Sequence, residues 1–217
     1  MDPYQNSEVC EESQVRALLG GDVLQAAPRL LGAVVRANGV SVRLTEVEAY
    51  GGSDDPGSHA HGGRTRRNAS MFGPPGTAYV YFSYGMHWCL NVSCGAAGRA
   101  AAVLLRAGAV VEGRELARVR RTLPSGAAAP DRDLARGPAR LARALGVDGS
   151  YDGLDLLGES PLRLMLLGAE APGQAVATGP RVGVGGAGAE RTWRFWIGGE
   201  PTVSPYRPAT PRRRRMA

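Results

Sequence analysis

Apolar residues recur at a helical spacing in two segments near the start of the chain, residues 15–19 and 27–31, and a glycine follows each segment. Beyond them the period changes to two. Residues 33–37 and 40–44 alternate on either side of Asn38-Gly39, a pair of residues that favours a type I′ turn. The pattern therefore predicts two short helices followed by a β-hairpin.

The rest of the chain contains further predicted strands and helices around one long irregular region, residues 51–76, which is rich in Gly, Ser, Asp, Pro, His and Arg. A loop of this length within a compact domain usually carries function or moves. Hairpins followed by helices, with no repeat and no domain linker, predict one α+β domain. The predicted strands are residues 77–82, 86–92, 100–106, 162–167 and 193–197, and the predicted helices are residues 112–121 and 138–145.

The domain limits follow from where this pattern begins and ends. We expect residues 1–14 to be a flexible N-terminus, residues 15–204 to form the single domain and residues 205–217 to be a flexible arginine-rich tail. A chain of 217 residues, 43% of them hydrophobic, is long enough to bury a sizeable core in one domain.

The composition favours a cytoplasmic protein. No apolar run approaches the roughly 20 residues of a membrane helix, and the polar, acidic first residues differ from a signal peptide. Three cysteines, Cys10, Cys89 and Cys94, form no CxxC pair, which fits a reducing compartment and argues against a cysteine-based metal site. We therefore expect no association with membranes.

The charge balance favours a polyanionic partner, because the net charge is +6 and the isoelectric point is about 9.7. All 26 cationic residues are arginines. Without a lysine, no side chain of the chain can form a Schiff base with a substrate.

Two glutamates, Glu46 and Glu48, follow the second strand of the hairpin. If the strand continues unbroken, alternation places them on the same face as the apolar residues of segment 40–44. Carboxylates buried in this way are costly unless they are paired, hydrogen-bonded or used in acid–base chemistry. The alternative is that the strand bulges or ends at Thr45 and that both glutamates are solvated.

Several aromatic residues and histidines are of the types that form a binding slot for a flat heterocycle. Tyr50, His59 and Tyr81 would stack on such a ligand, and stacking contributes about 1–3 kcal/mol per nucleobase. The alternatives are ordinary strand packing for Tyr79 and Tyr81, and a hydrogen-bonded loop for His59 and His61. Pattern alone leaves both interpretations open.

Tyr84 lies at the predicted tip of a hairpin, directly before Gly85. Aromatic side chains at loop tips are used by minor-groove proteins as wedges between base pairs. The alternative is a turn tyrosine that packs on its own hairpin.

A divalent metal site is a further candidate, since carboxylates and imidazoles lie close together in this part of the sequence. The candidate ligands are Glu48, Asp54, Asp55, His59 and His61. The alternative is that the Asp-Asp-Pro-Gly sequence at residues 54–57 simply forms a turn.

A series of short motifs resembles the alkyladenine (3-methyladenine) DNA glycosylase family, in order and with nearly the same spacing, from about residue 30 to residue 198. The motifs are TEVEAY at residues 45–50, followed by residues 59, 62–64, 67–68, 71–72, 75–77, 79–81, 84–86, 91–93, 103–106, 137–138 and 181–185. No single motif is decisive, but the series is specific. The resemblance implies a single α+β domain with a curved antiparallel β-sheet flanked by helices.

The resemblance also implies excision of alkylated or deaminated purines from duplex DNA by hydrolysis, without a metal or another cofactor. Glu48 would be the general base that activates water, and Arg106 and the main-chain carbonyl of Val182 would help to hold that water. The missing lysine predicts a monofunctional enzyme that leaves an abasic site. We expect a monomer that works on double-stranded DNA in the cytoplasm, associated with the nucleoid.

The remaining roles implied by the resemblance divide into a base pocket, a wedge and backbone contacts. The base pocket would consist of Tyr50, His59, Tyr81 and Asn91; the wedge and its groove contacts of Tyr84, Met86 and His87; and the DNA-backbone contacts of Arg64, Arg67 and Arg140. His87 stands where mammalian relatives have tyrosine, Arg140 stands near a family lysine, and loop 64–71 is one residue shorter than in those relatives.

Two other functions compete with this reading. A non-catalytic protein that binds damaged DNA would use the same wedge and arginines. A metal-dependent nuclease would use the cluster of Asp54, Asp55 and His59.

Overall fold

A nine-stranded antiparallel β-sheet forms the centre of the computed structural model, which describes residues 9–83, 85–123, 125–168 and 175–209. The main path of the sheet runs β3-β4-β5-β2-β1-β7, with β6 paired to β5, and β9 paired to both β2 and β8. The strands are β1 Val34–Ala37, β2 Val40–Tyr50, β3 Ala78–Ser83, β4 His87–Cys94, β5 Ala101–Glu112, β6 Ala135–Arg136, β7 Leu162–Met165, β8 Val176–Gly179 and β9 Arg194–Ile197.

Four short helices pack against this sheet: α1 Glu12–Gly20, α2 Val23–Arg29, α3 Arg114–Arg120 and α4 Pro138–Leu145. Helix α4 has the predicted bounds, since proline occupies its first turn and Gly146 ends it in a left-handed conformation, with φ 67°. Its buried face adds Leu141, Ala144 and Leu145 to the main core. The expected α+β fold, one domain with an antiparallel sheet and helices, is confirmed.

The hairpin of β1 and β2 is also confirmed, because Ala37 pairs with Val40 across Asn38-Gly39, both of which have positive φ. Other bounds differ from the prediction. Strand β5 continues to Glu112, into the segment predicted as a helix, and α2 begins at residue 23, where Asp22 caps its N-terminus by accepting from the Leu24 N–H.

The register between β2 and β5 is irregular between Leu44 and Val47, a feature that we call the β2 bulge. Before it, the even-numbered residues 40, 42 and 44 belong to the main core; after it, Val47 and Ala49 do. The predicted common face of Glu46, Glu48 and segment 40–44 is therefore wrong. The alternative of solvated glutamates is wrong as well, because Glu46 and Glu48 are fully buried on the other face.

The N-terminal part of the domain begins before the expected boundary at residue 15. Helix α1 starts at Glu12, Val9 forms a β-bridge with Leu167, and the Cys10 N–H donates to the Leu166 carbonyl over 2.8 Å. At the other end, the Arg207 carbonyl accepts from the Gly183 N–H over 3.0 Å, and residues 210–217 of the expected tail lie outside the described residues. Among the helices in the described ranges, none has the length and apolar character needed to cross a bilayer.

Candidate active site

Glu48 lies near the end of β2 with both carboxylate oxygens engaged. The Val182 N–H donates to Oε1 over 2.7 Å, and the Tyr50 hydroxyl donates to Oε2 over 2.9 Å. Arg106 Nη1 lies 3.5 Å from Oε1. Burial and the charge of Glu48 raise the pKa of Tyr50 well above its ordinary value, so this hydroxyl remains a donor.

A cavity of about 720 Å³ opens directly beside this carboxylate. Tyr50, Arg106 and Val182, the three residues that contact Glu48, all line it, whereas Glu48 itself has no exposed surface. The carboxylate therefore lies immediately behind the wall of the cavity. Such a volume is within the range of small-molecule sites and has room for a nucleobase.

Strand β3 supplies an aromatic wall of this cavity. The rings of Tyr79 and Tyr81 stack with centroids 5.4 Å apart, and the His59 ring contacts Tyr81 edge-on at 4.5 Å. His59 comes from the long irregular loop, and its Nδ1 is 2.9 Å from the Tyr79 hydroxyl. The structure thus brings Tyr50, His59 and Tyr81 to one cavity, and their stacking on a base stays a prediction.

The protonation states of His59 and Tyr79 follow from their surroundings. Partial burial of the ring against Tyr79 and Tyr81, assisted by the charge of Arg67, lowers the pKa of His59 below its ordinary value, so the ring is neutral at pH 7. Burial raises the pKa of Tyr79 to about 12, so its hydroxyl keeps its proton and can donate to His59 Nδ1. In that arrangement the remaining proton of His59 sits on Nε2.

Asn91 is a buried residue of β4 that lines the same cavity. Its Nδ2 donates to the Tyr79 carbonyl over 2.9 Å, a bond that fixes the orientation of the amide. The predicted pocket residue therefore has a defined geometry.

Arg181 and Asp55 form a fully buried ion pair behind Tyr50, with Nη2 and Oδ1 2.7 Å apart. Arg181 Nη1 also donates to the Ala49 carbonyl over 2.9 Å, and the guanidinium lies 4.6 Å from the Tyr50 ring centroid. The pair joins the long loop, β2 and the segment that carries Val182. The pairing of Asp55 and Arg181 was not predicted from the sequence. Gly57 leaves room for it, because a Cβ there would lie 2.6 Å from Arg181 Nη2.

The metal-site alternative is contradicted by this pairing. Both oxygens of Asp55 are engaged by Arg181. Within the part of the chain that the structure describes, no group of three or more His, Cys, Asp or Glu residues could hold a metal ion. The predicted ligands therefore do not come together.

Glu46 is the second buried carboxylate of β2, and four donors satisfy it. Its Oε1 accepts from Arg106 Nε over 2.8 Å, Arg194 Nε over 2.7 Å and Ser204 Oγ over 3.0 Å. Its Oε2 accepts from the Ser204 N–H over 2.7 Å. Glu46 does not line the cavity, but it shares Arg106 with Glu48.

The predicted DNA contacts lie at the surface. Arg64, Arg67, Arg140, Met86 and His87 are all exposed, and Tyr84 lies outside the described residues. Arg67 lines the mouth of the cavity, where its guanidinium is 5.7 Å from the Tyr81 ring centroid. Arg140 Nη1 is 3.5 Å from Asp133.

Comparison with known proteins is consistent with this geometry. Residues 17–201 match the model of the family described as methylpurine-DNA glycosylase. The chain belongs to the methylpurine-DNA glycosylase family. This confirms the resemblance found in the sequence.

Curated relatives match along most of their lengths, and the name of each contains the words 3-methyladenine DNA glycosylase. A relative from Streptomyces avermitilis is 55% identical over 92% of this chain and 94% of its own length. Relatives from Leifsonia xyli subsp. xyli and Burkholderia lata are 56% and 43% identical, over 85% and 87% of this chain and 88% and 89% of their own lengths. The part of this chain that matches the methylpurine-DNA glycosylase model includes every residue of the cavity described above.

Proposed function

We propose that this chain flips an alkylated or deaminated purine out of duplex DNA and hydrolyses its N-glycosidic bond, leaving an abasic site. Membership of the family makes it a DNA glycosylase, a hydrolase of N-glycosyl bonds. The observation that carries the finer proposal is the Glu48 carboxylate, buried behind the wall of an aromatic cavity large enough for a base. A base within the duplex hides its glycosidic bond, so extrusion must precede the reaction.

In the proposed reaction, water attacks C1′ of the extruded nucleotide while Glu48 takes the water proton. The N-glycosidic bond breaks, and its electron pair leaves with the base. Tyr50 and the Val182 N–H hold the carboxylate in place. Arg106, 3.5 Å from Glu48, and the Val182 carbonyl would hold the water.

The aromatic wall supports recognition of a purine. Tyr50 and Tyr81 would stack on the flipped base, and a purine alkylated at N3 or N7 carries positive charge, which favours a cation–π contact with these rings. Such a base is also a good leaving group. His59, neutral and protonated on Nε2, would donate a hydrogen bond to the base, and Asn91 would disfavour guanine by crowding its exocyclic amine.

The exposed residues around the cavity support binding of the duplex, which we propose is done by a monomer. We propose, from the sequence alone, that Tyr84 fills the gap left by the extruded nucleotide. Among the described residues, the exposed Met86 and His87 would contact the groove. Arg64, Arg67 and Arg140 would contact phosphates. The chain has no lysine, so the reaction would stop at the abasic site without cleaving the strand through an imine.

Glu48→Gln tests the proposal directly. The amide cannot accept the water proton, so we expect single-turnover base release to fall by at least about 100-fold, the usual scale of general-base catalysis, while lesion-DNA affinity is largely retained. The measurement is alkaline cleavage of duplexes that contain 3-methyladenine or hypoxanthine, together with a binding titration.

The control is Glu200→Gln, because Glu200 is a mostly buried glutamate that pairs with Arg43 at 2.9 Å and does not line the cavity. This variant should release bases at the wild-type rate. Wild-type rates in Glu48→Gln would refute the role of Glu48. The absence of abasic sites with wild-type protein would favour a DNA-binding protein without activity, and loss of cleavage in EDTA would favour a nuclease.

A further inference from the structure

The β2 bulge brings two buried glutamates and one arginine into a single network beside the cavity. Arg106 reaches Glu46 through Nε at 2.8 Å, but its Nη1 is 3.5 Å from Glu48. The shorter and better-formed bond therefore goes to the glutamate that does not border the cavity. Two carboxylates compete for one guanidinium, and Glu46 has the closer contact.

The charges of this network balance. Glu46 and Glu48 face Arg106 and Arg194, and all four side chains are almost completely buried. Burial alone would lower the pKa of Arg106, but the charges of Glu48 and Glu46 raise it above the ordinary value, so Arg106 stays charged. Arg194 is held as well, because its Nη2 donates to the Ser204 carbonyl over 2.8 Å.

Resting on the function proposed above, we propose that Glu46 is a positioning residue of the glycosylase reaction, which holds Arg106 by its Nε and keeps the ion pair of Arg106 and Glu48 at 3.5 Å, longer than a hydrogen bond. A guanidinium in close contact with Glu48 would stabilise the carboxylate and make it a weaker base toward water. By accepting from Arg106 Nε, Glu46 takes up part of the charge that would otherwise act on Glu48. It also leaves Arg106 at the cavity wall, where the guanidinium would hold the reacting water.

Other groups also act on Glu48, and they stay the same in the test variants. On its own strand, the Tyr50 hydroxyl donates to it; from β3 and β4, Tyr81 and Cys89 interact with its charge. Arg181 lies behind Tyr50, and the Val182 N–H holds Oε1. Since substitution of Glu46 touches none of these contacts, a change in the pH–rate profile reports on the loss of the Glu46 charge, which acts on Glu48 directly and through Arg106.

The test is Glu46→Gln, which removes the negative charge and keeps the size of the side chain. Arg106 then acts on Glu48 without sharing its charge with Glu46. We expect the acid limb of the pH–rate profile for single-turnover base release to move to lower pH by about one unit. The plateau rate should fall about tenfold. The dissociation constant for lesion DNA should not change.

The matched control is Glu200→Gln, which removes a paired, mostly buried glutamate whose partner Arg43 does not line the cavity. It should leave the acid limb where it is. If Glu46 only stabilises the fold, Glu46→Gln should lower the Tm and leave the acid limb of the pH–rate profile unmoved. That result would overturn the proposal. A second check is the Arg106→Met background, in which Glu46→Gln should move the limb much less, since its main partner is gone.

Ser204→Ala keeps the proposal testable if Glu46→Gln does not fold. This variant removes one neutral donor from Glu46, which then draws more strongly on Arg106. We expect the acid limb to move the other way, to higher pH, by a few tenths of a unit; an unmoved limb or a shift to lower pH would overturn the proposal. Failure of the inference is separable from failure of the proposed function, because the latter requires that wild-type protein release no base or that Glu48→Gln remain active.

Discussion

At the scale of single residues, His59 shows how a loop histidine acquires a fixed protonation state. Its ring packs against Tyr81, and its Nδ1 contacts the Tyr79 hydroxyl. Burial, with the charge of Arg67, lowers the pKa of His59. A neutral ring presents a single N–H donor in a defined position, whereas an imidazolium would repel a cationic purine.

This lowered pKa predicts a pH dependence of stability. An unfolded histidine titrates near pH 6.5, so below that pH the unfolded chain binds a proton that the folded His59 does not take up. Stability should therefore fall as the pH drops from about 6.5 toward the lower pKa of the folded state. In His59→Gln this part of the dependence should disappear.

Urea unfolding at pH 7.5 and pH 5.5 measures the effect. His87→Gln, which removes an exposed histidine of β4, is the control and should keep the wild-type dependence. If His59→Gln also keeps it, His59 is not held neutral by burial.

At the scale of elements, the sequence predicted the strands that carry the site, but not the face of β2 on which the carboxylates of Glu46 and Glu48 lie. The predicted bounds of β3 and β4 lie within two residues of those observed, whereas β2 continues six residues beyond its predicted end at residue 44. The proline and glycine around α4 gave its bounds. Signals of this kind depend only on residues that are close together in the sequence. The β2 bulge could not be predicted in this way, because it depends on the pairing of β2 with β5, some 60 residues later in the chain.

The same reason explains why the ion pair of Asp55 and Arg181 was missed. Asp55 has the local signature of a turn residue, and its partner lies 126 residues further along the chain. Burial alone would raise the pKa of Asp55, but the hydrogen bonds and charge of Arg181 lower it below the ordinary value. By contrast, Tyr50, His59 and Tyr81 could be selected as candidates from the sequence, because aromatic and imidazole side chains are typical of binding sites for flat ligands.

Arg181→Met should be strongly destabilising, because it leaves the Asp55 carboxylate buried without its partner. The loss of one member of a buried pair costs about 3–5 kcal/mol, and we expect a decrease of that size in the free energy of unfolding, measured with urea. The control is Arg118→Met, since Arg118 pairs with Asp131 at the surface. Exposed pairs contribute about 0–1 kcal/mol, so equal losses in the two variants would contradict a structural role of the buried pair.

At the scale of the whole molecule, charge is distributed so that the exposed arginines can act on a polyanion. The buried guanidiniums of Arg106, Arg181 and Arg194 are paired with carboxylates inside the protein. Arg64 and Arg67 are exposed in the long irregular loop, and Arg67 lines the cavity. The net charge of +6 therefore acts through the surface, and not through the arginines of the active site.

This distribution predicts the salt dependence of DNA binding. Each arginine–phosphate contact releases about 0.9 counterions, so the logarithm of the association constant should fall linearly with the logarithm of salt concentration. Arg64→Gln and Arg140→Gln should each reduce the slope by about one and weaken binding to damaged and undamaged duplexes equally.

Arg67 and Arg163 make this test specific. Arg67 also lies 5.7 Å from the Tyr81 ring centroid, so its loss should reduce the slope and change the preference for damaged DNA as well. Arg163 is exposed on β7, at the other end of the sheet path from β3, and Arg163→Gln should leave the slope unchanged. If the salt dependence of binding has the same slope in all four variants as in wild type, the DNA phosphates do not contact the face that carries Arg64, Arg67 and Arg140. If Arg163→Gln alone lowers the slope, the duplex lies on the opposite end of the sheet, and the cavity beside Glu48 is not where the DNA binds.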